Sequence, residues 1–118
     1  KIIKQFDKPE LKAVDDQIGS PTFGKDLMGA IKKLLEDDAV GIFNLANSGV
    51  CSRYEFAQEI IRILKPDIVL TPVKTSFFNL DAPRTFNEGL VSKVKLMRPW
   101  REALYEYLDT EWRPFLQP

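Results

Sequence analysis

The feature that most constrains this sequence is a strand-length apolar run followed almost at once by a helix-start signature. Gly41-Ile42-Phe43-Asn44-Leu45-Ala46 is closed by Asn47-Ser48-Gly49, and Ser52-Arg53-Tyr54-Glu55 comes next. In an S-x-x-E box the serine oxygen accepts an amide of the first turn while the glutamate reaches back to the cap amide. Phe56, Ala57, Ile60, Ile61 and Leu64 then recur at helical spacing, and Pro66 is expected to end the helix. A run apolar on both faces is expected to be a buried strand of a parallel sheet. Strand followed by helix is the grammar of an α/β fold.

The other segments continue that alternation. Ala13–Ile18 reads as a short extended stretch, broken by Gly19-Ser20-Pro21-Thr22. From Lys25 to about Glu36, the apolar positions Leu27, Met28, Ile31, Leu34 and Leu35 make a one-sided helical stripe. Asp26 suits the positive end of that helix dipole, and Glu36-Asp37-Asp38 marks its end. Ile68-Val69-Leu70 with Val73 is a second strand candidate. Residues 75–95, with Pro83, are expected to wrap irregularly and to hold one short helix. Arg98-Pro99-Trp100 opens the last helix with proline at its first position, and Trp100, Ala103, Leu104, Tyr107 and Leu108 form its buried stripe. Lys1 to Lys12 resembles the tail of an element that starts upstream.

Composition narrows the functions available. Among 118 residues, 17 Lys+Arg balance 17 Asp+Glu, which argues against nucleic-acid binding by charge neutralisation and against an anionic membrane surface as partner. At 44% hydrophobic the chain has the matter for a core. There is no histidine, which removes His-based triads and His metal ligands. Cys51 is the single cysteine, so no internal disulfide or thiolate zinc cage is available. No apolar run approaches the roughly 18 residues of a membrane span. The chain starts at Lys1 with no signal-peptide layout and is expected to be a cytoplasmic piece of a longer protein.

Catalytic signatures are missing from the residues themselves. The sequence lacks G-x-G-x-x-G, G-x-x-x-x-G-K-[ST] and G-x-S-x-G, and no tyrosine is followed by lysine four positions on. Asp15-Asp16 and Asp37-Asp38 read as solvated surface, since adjacent strand side chains diverge. Gly19-Ser20-Pro21-Thr22 is either a plain turn and cap or an anion-docking helix start. Arg84 suits either a phosphate pair or a structural ion pair. Trp100 and Tyr54 fit a core or an interface better than a ligand platform, and Cys51 reads as a small buried residue.

Several stretches, in order, resemble the dTDP-4-dehydrorhamnose reductases, a family of extended short-chain dehydrogenase/reductases. They are Val14-Asp15-Asp16-Gln17-Ile18-Gly19-Ser20-Pro21-Thr22-Phe23, Lys25-Asp26-Leu27, the run from Gly41 through Ala57, Ala82-Pro83-Arg84 with Asn87 and Leu90, and Arg98-Pro99-Trp100-Arg101-Glu102-Ala103-Leu104. The resemblance implies an α/β fold, the C-terminal portion of an extended Rossmann-type reductase with mixed short strands and three main helices. Residues 1–118 would be its sugar-nucleotide-binding domain, without the N-terminal dinucleotide-binding domain. NADPH or NADH would be bound by that N-terminal half, which also carries the family's catalytic Thr/Ser, Tyr and Lys. The resemblance implies no catalytic, cofactor-binding or metal-binding residue within this chain. It makes Arg84 the expected phosphate contact for a dTDP-sugar, with Ser20, Thr22 and Asn87 as further substrate-side residues. It also implies a full-length protein able to form a homodimer. Trp112 and Phe115 either mark such a contact or fold back on the core. The loop Thr85-Phe86-Asn87-Glu88-Gly89-Leu90 departs from the family pattern, which commonly has a small Ser and then an apolar residue before Leu, and Gly24 stands where the family usually has Thr or Val. The alternatives are a non-catalytic regulatory relative and a reductase or epimerase for a different nucleotide sugar.

Overall fold

The computed structural model describes residues 2–65 and 67–116, so the expected helix stop at Pro66 lies outside the described residues. A 3-10 turn, Ile3–Gln5, leads into β1 (Glu10–Val14) and the two-residue β2 (Ile18–Gly19). Then come α1 (Gly24–Glu36), β3 (Cys51–Ser52), α2 (Arg53–Leu64) and β4 (Val69–Val73). After a 3-10 turn at Thr75–Phe77 the chain forms β5 (Asn87–Glu88), α3 (Trp100–Glu111) and the short α4 (Arg113–Leu116).

β1 and β4 pair in parallel, with Leu11 opposite Leu70 and Val14 opposite Val73. Parallel neighbours need a crossover, and α2 lies within it. Pro72 sits in β4 opposite Ala13, tolerated because a two-stranded sheet has only edge strands. The second sheet has the order β3-β2-β5, antiparallel on one side and parallel on the other.

The start of α2 is built as its sequence dictates. Glu55 N–H donates to Ser52 Oγ at 3.0 Å, and Ser52 N–H donates to Glu55 Oε2 at 2.7 Å. The apolar face of α2 then enters the main core, where Ile60 and Ile61 meet Leu11, Ile68, Trp100, Leu104 and Leu108. Cys51 lies in the same cluster, and burial, aided by the nearby Glu55 charge, pushes its thiol up to about 11. It is packing material, as expected. Pro99 is the cap residue of α3, one position before the first turn that the sequence suggested. Trp112 packs partly on the core and donates its indole N–H to Tyr107 Oη at 3.0 Å, whereas Phe115 stays 80% exposed.

One expected strand is not formed. Gly41–Ala46 belongs to no sheet, and no hydrogen bond ties its backbone to another described residue. Ile42 is 98% exposed. The apolar pattern is that of a buried strand, yet among the described residues no strand runs alongside it. The helix before it behaves in a related way: of all α1 residues only Ala30 is buried.

Candidate functional site: the β2–β5 seam

The Gly19–Thr22 turn and the irregular segment before α3 meet along the short β2–β5 pairing. Ile18 faces Asn87 and Gly19 faces Glu88, and Ile18 N–H donates to Phe86 O at 2.8 Å. Past the strands, Leu90 N–H donates to Ser20 Oγ at 2.8 Å, extending the seam by a side-chain bond. The Asn87 side-chain oxygen accepts Gly89 N–H at 2.9 Å, an Asx turn that bends the segment back. A Cβ at Gly89 would stand 2.9 Å from Val50 Cγ1, so a side chain there would require Val50 to shift. Thr22 Oγ1 donates to Ser20 O at 3.1 Å and tightens the turn before α1. Glu88 accepts a hydrogen bond from Thr85 Oγ1.

Ser20, Thr22 and Asn87 therefore come together, while their polar atoms are engaged in shaping backbone. Arg84 is exposed, three residues before the paired strand, and its guanidinium makes no ion pair or hydrogen bond with another described residue. None of the four lines either of two concavities in the described residues. One, of about 490 Å³, opens between α1 and residues 96–98, and the other, of about 250 Å³, lies between α2 and β4.

Behind the seam lies a polar cluster that sequence reasoning missed. Asn47 is only 1% exposed. Its side-chain oxygen accepts Phe23 N–H at 2.8 Å, and its amide nitrogen donates to Asp26 Oδ2 at 2.7 Å and Arg98 O at 3.1 Å. Arg98 grips Asp26 with two bonds, Nε to Oδ2 at 2.9 Å and Nη2 to Oδ1 at 3.0 Å. Its Nη2 also reaches Glu106 Oε2 at 2.6 Å, and Lys25 Nζ meets Glu106 Oε1 at 2.6 Å. Burial pushes the Asp26 carboxyl up, but the bonds from Arg98 and Asn47 and the charges of Arg98 and Lys25 outweigh it. The net effect holds Asp26 below the usual carboxylate range. Hydrogen bonds to Asp26 and Glu106 hold the Arg98 guanidinium still more firmly protonated. Asp26 was legible only as a dipole partner, Arg98 only as the residue before a helix and Asn47 only as loop punctuation.

A second polar chain fixes the approach to β2. Thr75 Oγ1 donates to Asp16 Oδ1 at 2.6 Å and accepts from Gln17 Nε2 at 2.9 Å. Gln17 Oε1 in turn accepts from Arg53 Nε at 2.8 Å. The Thr75 hydroxyl and amide bonds hold Asp16 below its ordinary range. Asp15 turns away to Lys74 at 2.8 Å, so the two adjacent carboxylates diverge. Together these contacts make a fixed, open shelf of mutually bonded side chains.

Residues 2–112 match the family model of the RmlD substrate binding domain. The chain is 40% identical over 107 residues to the spore coat polysaccharide biosynthesis protein SpsK of Bacillus subtilis, covering 86% of this chain and 38% of that protein. It is 32% identical over 108 residues to a dTDP-4-dehydrorhamnose reductase of Mycolicibacterium smegmatis, covering 81% of this chain and 32% of that protein. Among solved structures, a dTDP-4-dehydrorhamnose reductase of Clostridium acetobutylicum superposes with a TM-score of 0.86 at 34% identity, covering 92% of this chain and 41% of that one. The dTDP-4-dehydrorhamnose reductase of Bacillus anthracis, in complex with NADP, superposes with a TM-score of 0.83 at 29% identity and the same coverage. The chain thus spans about two-fifths or less of the length of these relatives.

Proposed function

Since the chain belongs to the RmlD substrate-binding domain family, we propose that it holds the nucleotide sugar in a dTDP-4-dehydrorhamnose reductase. The complete enzyme would reduce the C4 ketone of dTDP-4-dehydro-L-rhamnose to dTDP-L-rhamnose. The observation that carries this reading is the β2–β5 seam, which gathers Ser20, Thr22 and Asn87 on one shelf and leaves the Arg84 guanidinium uncommitted among the described residues. A guanidinium with no partner of its own suits two parallel bonds to a diphosphate. Ser20 and Asn87 act as positioning residues, because their bonds to Leu90 and Gly89 set the path of the segment that bears Arg84.

This chain fits no nicotinamide cofactor. Its helices start without the glycine-rich strand-to-helix turn that lets a backbone approach a pyrophosphate. The hydride would come from NADPH or NADH held by the rest of the polypeptide, as would the proton donor. What these residues supply is orientation, and fixing a ketone against its reductant is itself a large share of a rate. The relatives' names support a place in dTDP-rhamnose and polysaccharide biosynthesis, and the motif resemblance implies the short-chain dehydrogenase/reductase superfamily. We place the protein in the cytoplasm, as a homodimer of the full-length chain; the exposed Phe115 ring supports a contact at the C-terminal turn.

The test is steady-state NADPH oxidation by the full-length protein with the dTDP-4-keto sugar. Arg84→Ala should raise KM about tenfold while kcat and cofactor affinity move little, the mark of lost ground-state binding. An unchanged KM removes Arg84 from the site. Residues 1–118 alone should oxidise no NADPH, and turnover by them would refute the division of labour.

A further inference from the structure

The segment that carries Arg84 is closed at both ends on the same short stretch, Asp16 to Ile18. It leaves β4 through Thr75, whose amide and hydroxyl both bond to the Asp16 carboxylate. It returns at Phe86, whose carbonyl accepts the Ile18 amide at 2.8 Å. A surface segment of about 6–16 residues with its ends brought together is an Ω-loop, so residues 75–86 take their heading from what grips those ends. The entry is gripped hardest. Thr75 N–H lies 3.0 and 3.1 Å from the two Asp16 oxygens, and Thr75 Oγ1 donates to Oδ1 at 2.6 Å. Lys74, the cap residue of the 3-10 turn Thr75–Phe77, makes no side-chain cap bond. A carboxylate far away in sequence thus takes the amide that a local cap would otherwise serve. Lys12 Nζ, 4.8 Å from the Phe77 ring centroid, ties the same turn to β1.

The Thr75 hydroxyl is also the middle of a relay that runs one way. Arg53 Nε donates to Gln17 Oε1, Gln17 Nε2 donates to Thr75 Oγ1, and Thr75 Oγ1 donates to Asp16. A threonine hydroxyl has one proton to give, and giving it to Asp16 leaves a lone pair for Gln17. The relay starts at a cation and ends at an anion, so each bond polarises the next in the same sense. Gln17 is buried, and Arg53 is the first residue of α2, the helix sunk in the core. We infer that Thr75, linked to Asp16, Gln17 and Arg53, is a positioning residue that sets the heading of residues 75–86 and so holds Arg84 where it meets the nucleotide sugar. None of the four touches the ligand in this role. Its last step rests on the reading of the chain as a substrate-binding domain, whereas the grip on the loop does not.

Two readouts on the full-length protein test this. Trypsin cuts after Arg84 only when the loop opens far enough to enter the protease. Thr75→Val, close in shape but without the hydroxyl, should speed that cut about tenfold. Cleavage after Lys93 and Lys95, outside the loop, should stay as it was, and Thr75→Ser should restore the original rate at Arg84. Thr75→Val should also raise KM for the dTDP-4-keto sugar about threefold with kcat little changed, and should add nothing in an Arg84→Ala background. Arg53→Met, which cuts the relay at its cationic end, serves if the valine variant does not fold. An unchanged cut after Arg84, loosening that spreads to Lys93 and Lys95, or a failure of serine to rescue overturns the proposal. So does a KM shift that persists in full without Arg84, and so does no shift at all where Arg84→Ala alone produces one. An Arg84→Ala protein with an unaltered KM refutes the substrate assignment alone, and the cleavage rates then decide the grip by themselves.

Discussion

α1 and α2 are both amphipathic helices of similar length, yet they stand in opposite situations. α2 is capped by its own sequence, and its apolar face is sunk among β1, β4 and α3. α1 has no side-chain bond at its cap residue, leaves Met28 and Leu35 of its stripe exposed, and is joined to the rest through Asn47, Asp26, Arg98, Glu106 and Lys25. One helix is held by burial, the other by hydrogen bonds and charge. Amphipathicity therefore states that a helix has something to cover, and the identity of the covered surface must be sought elsewhere.

Substitutions can break or sharpen this contrast. Leu108 is 1% exposed at the centre of the packed half, so Leu108→Ala should cost about 2–5 kcal/mol in denaturant unfolding. A cost below about 1 kcal/mol would mean that the α2–α3 half is not the stable one. Arg98→Ala should cost about 1–3 kcal/mol, because it strips a partly buried Asp26 of its bidentate partner. Its signature in amide exchange should be local, with α1 freed and α2 unchanged; uniform loosening would erase the distinction.

Acid should act at the same place. The Asp26 pKa is depressed in the fold, so its contribution is complete above the ordinary value of 3.8 and is lost as pH falls through the lowered one. Exchange in α1 followed through that window should rise as Asp26 takes up its proton. Ser52→Ala should cost about 1 kcal/mol by removing the box at the start of α2. Gly29→Ala, at an exposed α1 position with nothing within 4 Å of the added methyl, should stabilise by at most about 1 kcal/mol. A loss there would mean that the exposed face of α1 is already covered.

The elements that could be read from sequence are those written locally. The Ser52–Glu55 box, the α2 stripe and the opening of α3 at Pro99-Trp100 depend on residues within a turn or two, and all stand as expected apart from a one-residue shift at Pro99. Gly41–Ala46 was misread as a strand of this chain because periodicity reports what a segment needs and not whether the need is met. The Asn47–Asp26–Arg98 cluster was invisible for another reason. Its members lie as much as 72 positions apart, and each has an ordinary local explanation. The shelf residues fall between these cases: Ser20, Thr22 and Asn87 were picked out through resemblance, but their bonds to neighbouring backbone appear only in three dimensions.

The fork between Arg98 and Asp26 has one more consequence. Oily surfaces attract from any angle, whereas a planar guanidinium accepts a carboxylate along few directions. The bare side of the first helix is consequently aimed before anything settles on it. A helix whose heading is already fixed has less freedom left to lose when its bare side is covered.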